Sequence, residues 1–489
     1  MNGNGTDDEV LKMEESKKFA VLMFGYLPGA SPQRSPLLSP AKVHFPAANL
    51  HGDSWKEVCG GGCGFAMVIS EFGKLITWGS ADDQGQSYLT SGKHGETPEP
   101  FLLPTKAPIV KAAAGWAHCV SITDAGGVYT WGWKECVPSG KVIHDLAARG
   151  SFKKDTFEKQ ISTLTEQVSS QSQVSKSIGG TVFHPENRKA GEESMKRRKI
   201  LSSEQEPEDS VSADETLSAP PCLVALNPGV RITSVAAGGR HTLALSGVGQ
   251  VWGWGYGGEG QLGLGFRIKV VSSPHLIPCV EPSLYGKDRS SVVHRGSISS
   301  ITRALKVPGS YIKGIACGGR HSAVITDAGA VLTFGWGLYG QCGQGNTNDV
   351  FRPTCVSSLL SSQIEGIAAG LWHTLCISVE GRVHAFGGNQ FGQLGLGSSA
   401  HEAETVPRLL DASISGSLRA KIVSCGARHS AILTEGGKVY CWGWNKYGQL
   451  GLGDSIDRNV PSRVHVDDCV AKSIACGWWH TLLLVETAL

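Results

Sequence analysis

Short apolar segments alternate with polar turns along much of the chain, and the pattern is clear around His321. Residues 322–325 are mostly apolar and partly β-branched, residues 326–329 read Thr-Asp-Ala-Gly, and residues 331–334 are again mostly apolar. An apolar run, a turn signal and a second apolar run predict a β-hairpin. Similar turns at residues 70–73, 123–126 and 434–437 predict further hairpins of the same kind.

A longer phrase surrounds these hairpins and repeats along the chain. It consists of Gly, two variable residues, His, a Gly eight residues later, and Trp-Gly or Phe-Gly five residues further on. A second phrase, Gly-Gln-Leu-Gly or Gly-Gln-Cys-Gly, begins 19 residues after the His in four copies. The copies are centred on Phe65, His118, His241, His321, His373, His429 and His480.

The spacing of the copies predicts the fold. The intervals are 53, 123, 80, 52, 56 and 51 residues, so the base period is about 52 and two copies carry insertions. A period near 50 with several strands per unit predicts an all-β protein, a seven-bladed β-propeller with two loop insertions. Too few residues follow His480 for a second strand, and residues 19–25 end in Phe24-Gly25. The N-terminal strand is therefore expected to close the final blade, which removes exposed sheet edges.

The predicted propeller spans residues 18–489, and residues 1–17 are predicted to be a flexible N-terminus. Residues 137–218 are rich in Ser, Glu, Lys and Gln and poor in aromatics, so this insertion is predicted to be disordered. Within it, the run Lys196, Arg197, Arg198 and Lys199 predicts a signal for a nuclear import receptor and a nuclear protein. The alternative is a solvated charge cluster that no receptor binds.

The shorter insertion, residues 267–307, is predicted to be a loop. It is basic, with little acid, and could contact phosphates or an acidic partner. The alternative is a mobile surface loop without a partner. The basic residues that suggest this contact are Lys287, Arg289, Arg295, Arg303 and Lys306.

Composition narrows the functional classes. The chain has 489 residues with 45 basic and 43 acidic side chains, so any contact with DNA is expected only through local basic patches. No apolar run reaches the roughly 18 residues that a membrane helix needs, so no membrane partner is expected. The 64 glycines fit many tight turns, and the 14 cysteines, spread along the chain, are expected to be free thiols.

Motifs that suggest chemistry are better explained by the repeat. Cys317, Cys425 and Cys476 each precede a His by four residues, which resembles zinc-ligand spacing. Other copies have Ala at that position, so a small buried residue is expected there and no metal. The repeated His is expected to bond backbone within or between blades. The Gly-rich phrases lack the Lys-Ser/Thr of a phosphate loop, so no cofactor and no catalytic residue are predicted.

The residue just before the repeat His varies between copies. Equivalent positions of a propeller lie on one face, so five successive blades are expected to present Arg or Trp together. Both residue types are enriched at binding hot spots and can form cation–π contacts, which predicts a partner-binding face. The alternative is that each Arg pairs with an acidic residue of a neighbouring blade. Around the ring the position reads Gly64, Ala117, Arg240, Arg320, Trp372, Arg428 and Trp479; the last five are called the Arg/Trp face.

The phrases G-x-x-H, G-x-V-x-x-W-G and G-Q-L-G at this period resemble the regulator-of-chromosome-condensation family of seven-bladed propellers. The resemblance covers residues 19–489 apart from the two insertions. Tryptophan-aspartate propellers have shorter repeats and a Trp-Asp dipeptide, which this sequence lacks. Kelch repeats share the period but lack the G-x-x-H phrase.

The resemblance implies three activities: association with chromatin through histones and DNA, guanine-nucleotide exchange on a Ran-type GTPase, and UV-B perception. Exchange uses acidic residues and a wedge on one face, and no motif places them here. UV-B perception needs Trp at the first variable position of G-x-x-H on successive blades. That position reads Cys63, Trp116, Gly239, Gly319, Leu371, Ala427 and Trp478, so Trp is missing from successive blades and UV-B perception is not expected. We expect a non-enzymatic nuclear platform on chromatin; the alternatives are an exchange factor and an adaptor in another complex.

Overall fold

The residues that the computed structural model describes belong to one of the two units into which the chain divides, Met1–Phe152 with Leu217–Leu489. Ala117, the basic run at 196–199 and the N-terminal residues 1–17 lie outside the described residues, so the expectations on them stay predictions. Among the described residues, no helix is long and apolar enough to cross a membrane. The described residues are 18–26, 36–47, 50–62, 64–79, 97–116, 118–138, 218–280, 307–397, 402–410, 419–466 and 468–487.

The described strands form seven antiparallel sheets of four strands, which are the seven blades of a β-propeller. Blade 1 contains β3 (Trp55–Val58), β4 (Phe65–Ser70), β5 (Leu75–Gly79) and β6 (Glu99–Pro100). Blade 2 contains β7 (Ile109–Ala114), β8 (His118–Thr123), β9 (Val128–Trp133) and β10 (Ser218–Leu223). Blade 3 contains β11 (Ile232–Ala237), β12 (His241–Ser246), β13 (Val251–Gly257) and β14 (Ile268–Ile277).

The remaining blades follow the same order. Blade 4 contains β15 (Ile312–Cys317), β16 (His321–Thr326), β17 (Val331–Gly335) and β18 (Val350–Cys355). Blade 5 contains β19 (Ile364–Ala369), β20 (His373–Ser378), β21 (Val383–Gly387) and β22 (Glu404–Leu409). Blade 6 contains β23 (Ala420–Cys425), β24 (His429–Thr434), β25 (Val439–Gly443) and β26 (Arg458–Val464). Short 3-10 helices follow β9 (Lys134–Cys136) and β18 (Ser357–Leu359).

Blade 7 is built from both ends of the described chain, which confirms the predicted closure. It contains β27 (Cys469–Cys476), β28 (His480–Thr487), β1 (Lys18–Gly25) and β2 (Leu37–Val43). β1 pairs with β28 over eight residue pairs, from Lys18 opposite Thr487 to Gly25 opposite His480. The N-terminal region thus supplies two strands of this blade rather than one.

The predicted hairpin is the middle of every blade, and blade 4 shows how it forms. β16 is buried along its whole length, and His321 at its start pairs with Gly335 at the end of β17. The turn between the strands closes with the Gly329 amide donating to the Thr326 carbonyl at 2.9 Å. Gly329 has φ of +82°, a conformation that favours Gly over residues with a side chain.

The core lies between blades, where the aromatic ring of each Trp-Gly or Phe-Gly word is fully buried. These rings are Phe24, Trp78, Trp131, Trp254, Phe334, Phe386 and Trp442. The last Gly of the second phrase packs on the ring of the next blade: a Cβ on Gly395 would lie 2.7 Å from Trp442 Nε1. Gly is required there because the loop of one blade and the ring of its neighbour leave no space for a methyl group.

The predicted boundaries of the insertions need two corrections. Residues 268–277, assigned to a loop by the sequence, form the fourth strand of blade 3, since Ile268, Val271 and Ile277 are buried against β13. The basic residues that suggested a loop all come later, in residues 281–306, which are outside the described part. Ser218, the predicted end of the long insertion, already opens β10.

Candidate partner-binding face

One backbone hydrogen bond recurs in five blades and places two side chains at the same end of each hairpin. The amide of the residue after Trp-Gly or Phe-Gly donates to the carbonyl of the residue before the repeat His. Because the second and third strands are antiparallel, both residues lie where the second strand begins and the third ends. The bonds run from Tyr256 to Arg240 (2.8 Å), Trp336 to Arg320 (2.9 Å), Gly388 to Trp372 (2.7 Å), Trp444 to Arg428 (2.9 Å) and Tyr26 to Trp479 (2.9 Å).

All five residues of the Arg/Trp face line one cavity of about 400 Å³. The structure therefore brings together the side chains that the sequence placed on one face. Trp116, Tyr256, Trp336 and Trp478 also line this cavity. A pocket of this volume, with mainly aromatic walls and a few charged groups, has the size and character of a binding site.

Two of the three arginines on this face also form ion pairs with the preceding blade. Arg240 of blade 3 lies 3.5 Å from Glu135, which follows β9 of blade 2. Arg320 of blade 4 lies 3.5 Å from Glu259, in the loop after β13 of blade 3. The alternative, in which each Arg pairs with an acidic residue of a neighbouring blade, therefore holds for Arg240 and Arg320. Such partly exposed pairs contribute about 0–1 kcal/mol each, so they leave both guanidinium groups available to a partner.

Sequence reasoning missed a second set of aromatic residues on this face. They follow the Trp-Gly word or precede the Gly-Gln of the second phrase. Arg240 lies over the ring of Tyr256 at 4.1 Å and Arg320 over the ring of Trp336 at 5.0 Å. The word Trp-Gly-Trp in blades 2 and 6 was the available signal. The other members are Trp133, Tyr339, Phe391, Trp444 and Tyr447.

The repeat His joins neighbouring blades, and its ring nitrogen contacts a side-chain hydroxyl of the next blade that leads to a backbone carbonyl. His241 Nε2 lies 2.8 Å from the hydroxyl of Ser322 in the next blade, which donates to the Gln261 carbonyl at 2.8 Å. The same relay starts from His321, His373 and His429. The hydroxyl is available for this relay because Thr or Ser follows the His in most copies and projects toward the preceding blade.

The structure places the three repeat cysteines around the propeller axis. Cys317, Cys425 and Cys476 end the first strands of blades 4, 6 and 7 and line a narrow central channel, where they are half-buried. Burial raises the pKa of Cys317 and of Cys476 to about 12. A thiol with such a pKa stays protonated at neutral pH and is a poor nucleophile and metal ligand.

The family model described as the RCC1-like domain matches residues 202–483. Among curated proteins, the Ultraviolet-B receptor UVR8 of Arabidopsis thaliana is 36% identical over 276 residues, which cover 56% of this chain and 53% of that protein. The probable E3 ubiquitin-protein ligase HERC4 of Homo sapiens is 35% identical over 257 residues, 52% of this chain and 21% of HERC4. The matched region thus spans about half of UVR8 and a fifth of HERC4.

Solved structures share the fold across nearly the whole chain. Human WBSCR16 superposes with a TM-score of 0.64 at 20% identity, covering 97% of this chain and 100% of that chain. Prp20p of Saccharomyces cerevisiae superposes with a TM-score of 0.64 at 18% identity, covering 97% of this chain and 93% of that chain. At these identities the likeness shows the propeller architecture.

Proposed function

Because this chain belongs to the RCC1-like domain family, we propose that it is a nuclear binding platform that docks on chromatin through the Arg/Trp face. The observation that carries this proposal is the convergence of Arg and Trp side chains from five successive blades on one cavity. Fully or partly buried Trp and Arg residues supply most of the binding energy in protein interfaces. The structure of Prp20p, which shares this fold, is described together with its binding to Gsp1p and histones.

Binding to reconstituted nucleosomes tests the proposal. Arg320→Ala removes a cation that is about half exposed on the face, and we expect at least fivefold weaker binding. Arg419→Ala is the matched control, since Arg419 is equally exposed and paired with Glu435 at 3.5 Å, at the opposite end of its blade. Equal affinity of both variants and the native chain, measured by fluorescence anisotropy, would remove chromatin docking from this face.

Nuclear localisation is part of the proposal and rests on the basic run at 196–199. Replacing Lys196, Arg197, Arg198 and Lys199 by Ala in a fluorescent fusion should shift the protein from nucleus to cytoplasm. A variant with Lys153 and Lys154 replaced, in the same insertion, is the control. Nuclear accumulation of the first variant at the native level would contradict an import signal at this run.

Guanine-nucleotide exchange on a Ran-type GTPase is the second candidate function. The structure adds one observation in its favour, since Glu135 and Glu259 provide carboxylates on the same face as the arginines. Release of a fluorescent guanine nucleotide from the purified GTPase, with and without this protein, tests it. Strong acceleration would make the protein an exchange factor, and no acceleration together with no nucleosome binding would favour the adaptor alternative.

A further inference from the structure

Arg428 sits in a cage of four aromatic rings supplied by three successive blades. The rings come from the residues before the repeat His, from the end of β25, and from the loop after β21. The guanidinium carbon lies 5.3 Å from the ring centroid of Trp372, 4.9 Å from Phe391, 5.2 Å from Trp444 and 5.9 Å from Trp479. These distances are all within the range of cation–π attraction.

Arg428 differs from its two counterparts because no anion contacts it in the part of the chain that the structure describes. Arg240 and Arg320 each face a carboxylate at 3.5 Å, whereas no ion pair or hydrogen bond of the Arg428 side chain is found among the described residues. Its Nε is buried, and no described residue is a hydrogen-bond partner for it. Burial lowers the pKa of Arg428, although a guanidinium remains charged at any physiological pH.

A half-buried cation of this kind is incompletely satisfied. Ring faces attract the charge, but they do not replace the hydrogen bonds that the five N–H donors of a guanidinium can make. The donors form a planar fork that matches the two oxygens of a carboxylate. The cage holds this fork in place at the wall of the cavity of about 400 Å³.

We propose that the Arg428 guanidinium receives a carboxylate from an acidic segment of a protein partner that docks in this cavity. The inference rests on the proposed function, because it names the chemistry of the partner that the Arg/Trp face binds. Because the walls of the cavity are mainly aromatic, we expect the residues next to this carboxylate in the segment to have apolar side chains.

The charges around the cavity favour a carboxylate over a phosphate. Glu135 and Glu259 already balance two of the three arginines, so among the described residues that line the cavity Arg428 alone carries a positive charge without a carboxylate. A carboxylate matches that single charge. A phosphate monoester carries about −1.5 to −2 at neutral pH, so it would leave excess negative charge beside two glutamates in a partly desolvated site.

The same charges disfavour a second copy of this chain as the occupant. A two-fold dimer through this face would set the face against itself, since a two-fold interface uses the same surface on both subunits. Arg428 would then approach a surface that carries another Arg428, and the described carboxylates there, Glu135 and Glu259, are already paired with arginines. A partner with an acidic segment avoids this repulsion.

Three fluorescent octapeptides test the proposal with the full chain. The first carries one glutamate between a leucine and a phenylalanine, the second has glutamine and the third phosphoserine at that position. We expect the glutamate peptide to bind at least tenfold more tightly than the glutamine peptide, and more tightly than the phosphoserine peptide, by anisotropy. Equal binding of the first two, tighter binding of the third, or no saturable binding of the first would overturn the proposal.

Variants assign the binding to Arg428. Arg428→Gln should weaken binding of the glutamate peptide at least tenfold and Arg428→Lys less, because Lys keeps the charge but lacks the planar fork. Arg419→Gln is the matched control and should bind as the native chain does. If Arg428→Gln melts at a lower temperature than the native chain, its weaker binding could come from unfolding. The proposal is then tested by Arg428→Lys and by comparing the glutamate and glutamine peptides on the native chain. Native binding by either folded Arg428 variant would contradict the proposal.

The two proposals fail separately. Binding of the glutamate peptide through Arg428 without nucleosome binding would keep this inference and remove chromatin docking. Nucleosome binding that depends on Arg320, with no preference for the glutamate peptide, would do the reverse. A dimer of the native chain in sedimentation, lost in Arg428→Gln, would show a second copy as the occupant and overturn the assignment to a partner.

Discussion

At the scale of the residue, the relay between blades explains why the repeat contains His, a following Thr or Ser, and Gln. In the His241 relay the Ser322 hydroxyl uses its proton on the Gln261 carbonyl, so the ring nitrogen Nε2 must donate to that hydroxyl. The relay is missing at the seam between blades 7 and 1. The position there that matches Ser322 is Ala66, and both ring nitrogens of His480 are buried without a partner among the described residues.

His480→Phe should therefore be nearly neutral or stabilising, whereas His241→Phe should lower the free energy of unfolding by about 1–2 kcal/mol. The first change removes polar atoms that have no partner, and blade 1 already has Phe65 at the same position. The second change removes the buried hydrogen bond to Ser322. Urea unfolding followed by circular dichroism measures both, and equal losses would show that the His480 ring is satisfied in solution.

At the scale of the element, β1 has the largest effect on whether the ring closes. It lies between β28 and β2 and carries Phe24, which is fully buried against blade 6 residues such as Leu450. Without β1, the long strand β28 would expose a row of unpaired backbone groups at a sheet edge. A strand from the beginning of the chain thus stabilises one from its end.

Deleting residues 1–26 should lower the melting temperature by about 10 °C or more and promote aggregation, because it removes the eight residue pairs between β1 and β28 and a buried Phe. Deleting residues 1–17, which precede β1, is the matched control and should leave melting unchanged. Thermal circular dichroism and size-exclusion chromatography report the two effects. A soluble monomer with native melting after the longer deletion would show that β1 does not close the ring.

At the scale of the whole molecule, six buried His residues make the ring sensitive to acid. Burial lowers the pKa of His241, His321, His373 and His429 to about 3, and that of His118 and His480 to about 4. Their pKa in the unfolded chain is near 6.5. Between these values the unfolded state binds more protons, so stability is fully present above about pH 6.5 and falls as the pH is lowered toward 3.

The melting temperature should therefore drop steeply between pH 7 and pH 5, before most carboxylates titrate. Each buried His contributes about 1.4 kcal/mol per pH unit to the slope once the pH is below the unfolded-state pKa. Thermal unfolding at pH 7, 6 and 5 measures the slope, and His480→Phe should flatten it by about one sixth. A flat profile over this range would mean that the six buried His residues take up protons in the folded protein as readily as in the unfolded chain.

Much of the architecture follows from the chain alone. The hairpin around His321 depends on neighbouring residues: two apolar runs and a Gly at +82°. Seven copies of that local signal predicted seven blades. The copy at His480 lacks a following strand with Trp-Gly or Phe-Gly, and Phe24-Gly25 near the N-terminus matches the missing word. Strand β14 was the exception, because a fourth strand lies at the outer edge of a blade, where few of its residues are buried and the alternation is weak.

For the Arg/Trp face, the sequence predicted which residues lie together, but not which groups they contact. The position before the repeat His was enough to place Arg240, Arg320 and Arg428 on one face, since residues at the same position of each repeat lie at the same place on each blade. Whether each guanidinium meets an acid or a ring depends on loops of other blades, tens of residues away in the chain. Pairing with Glu135 and Glu259, and the ring cage around Arg428, were therefore decided only by the packing of blade against blade.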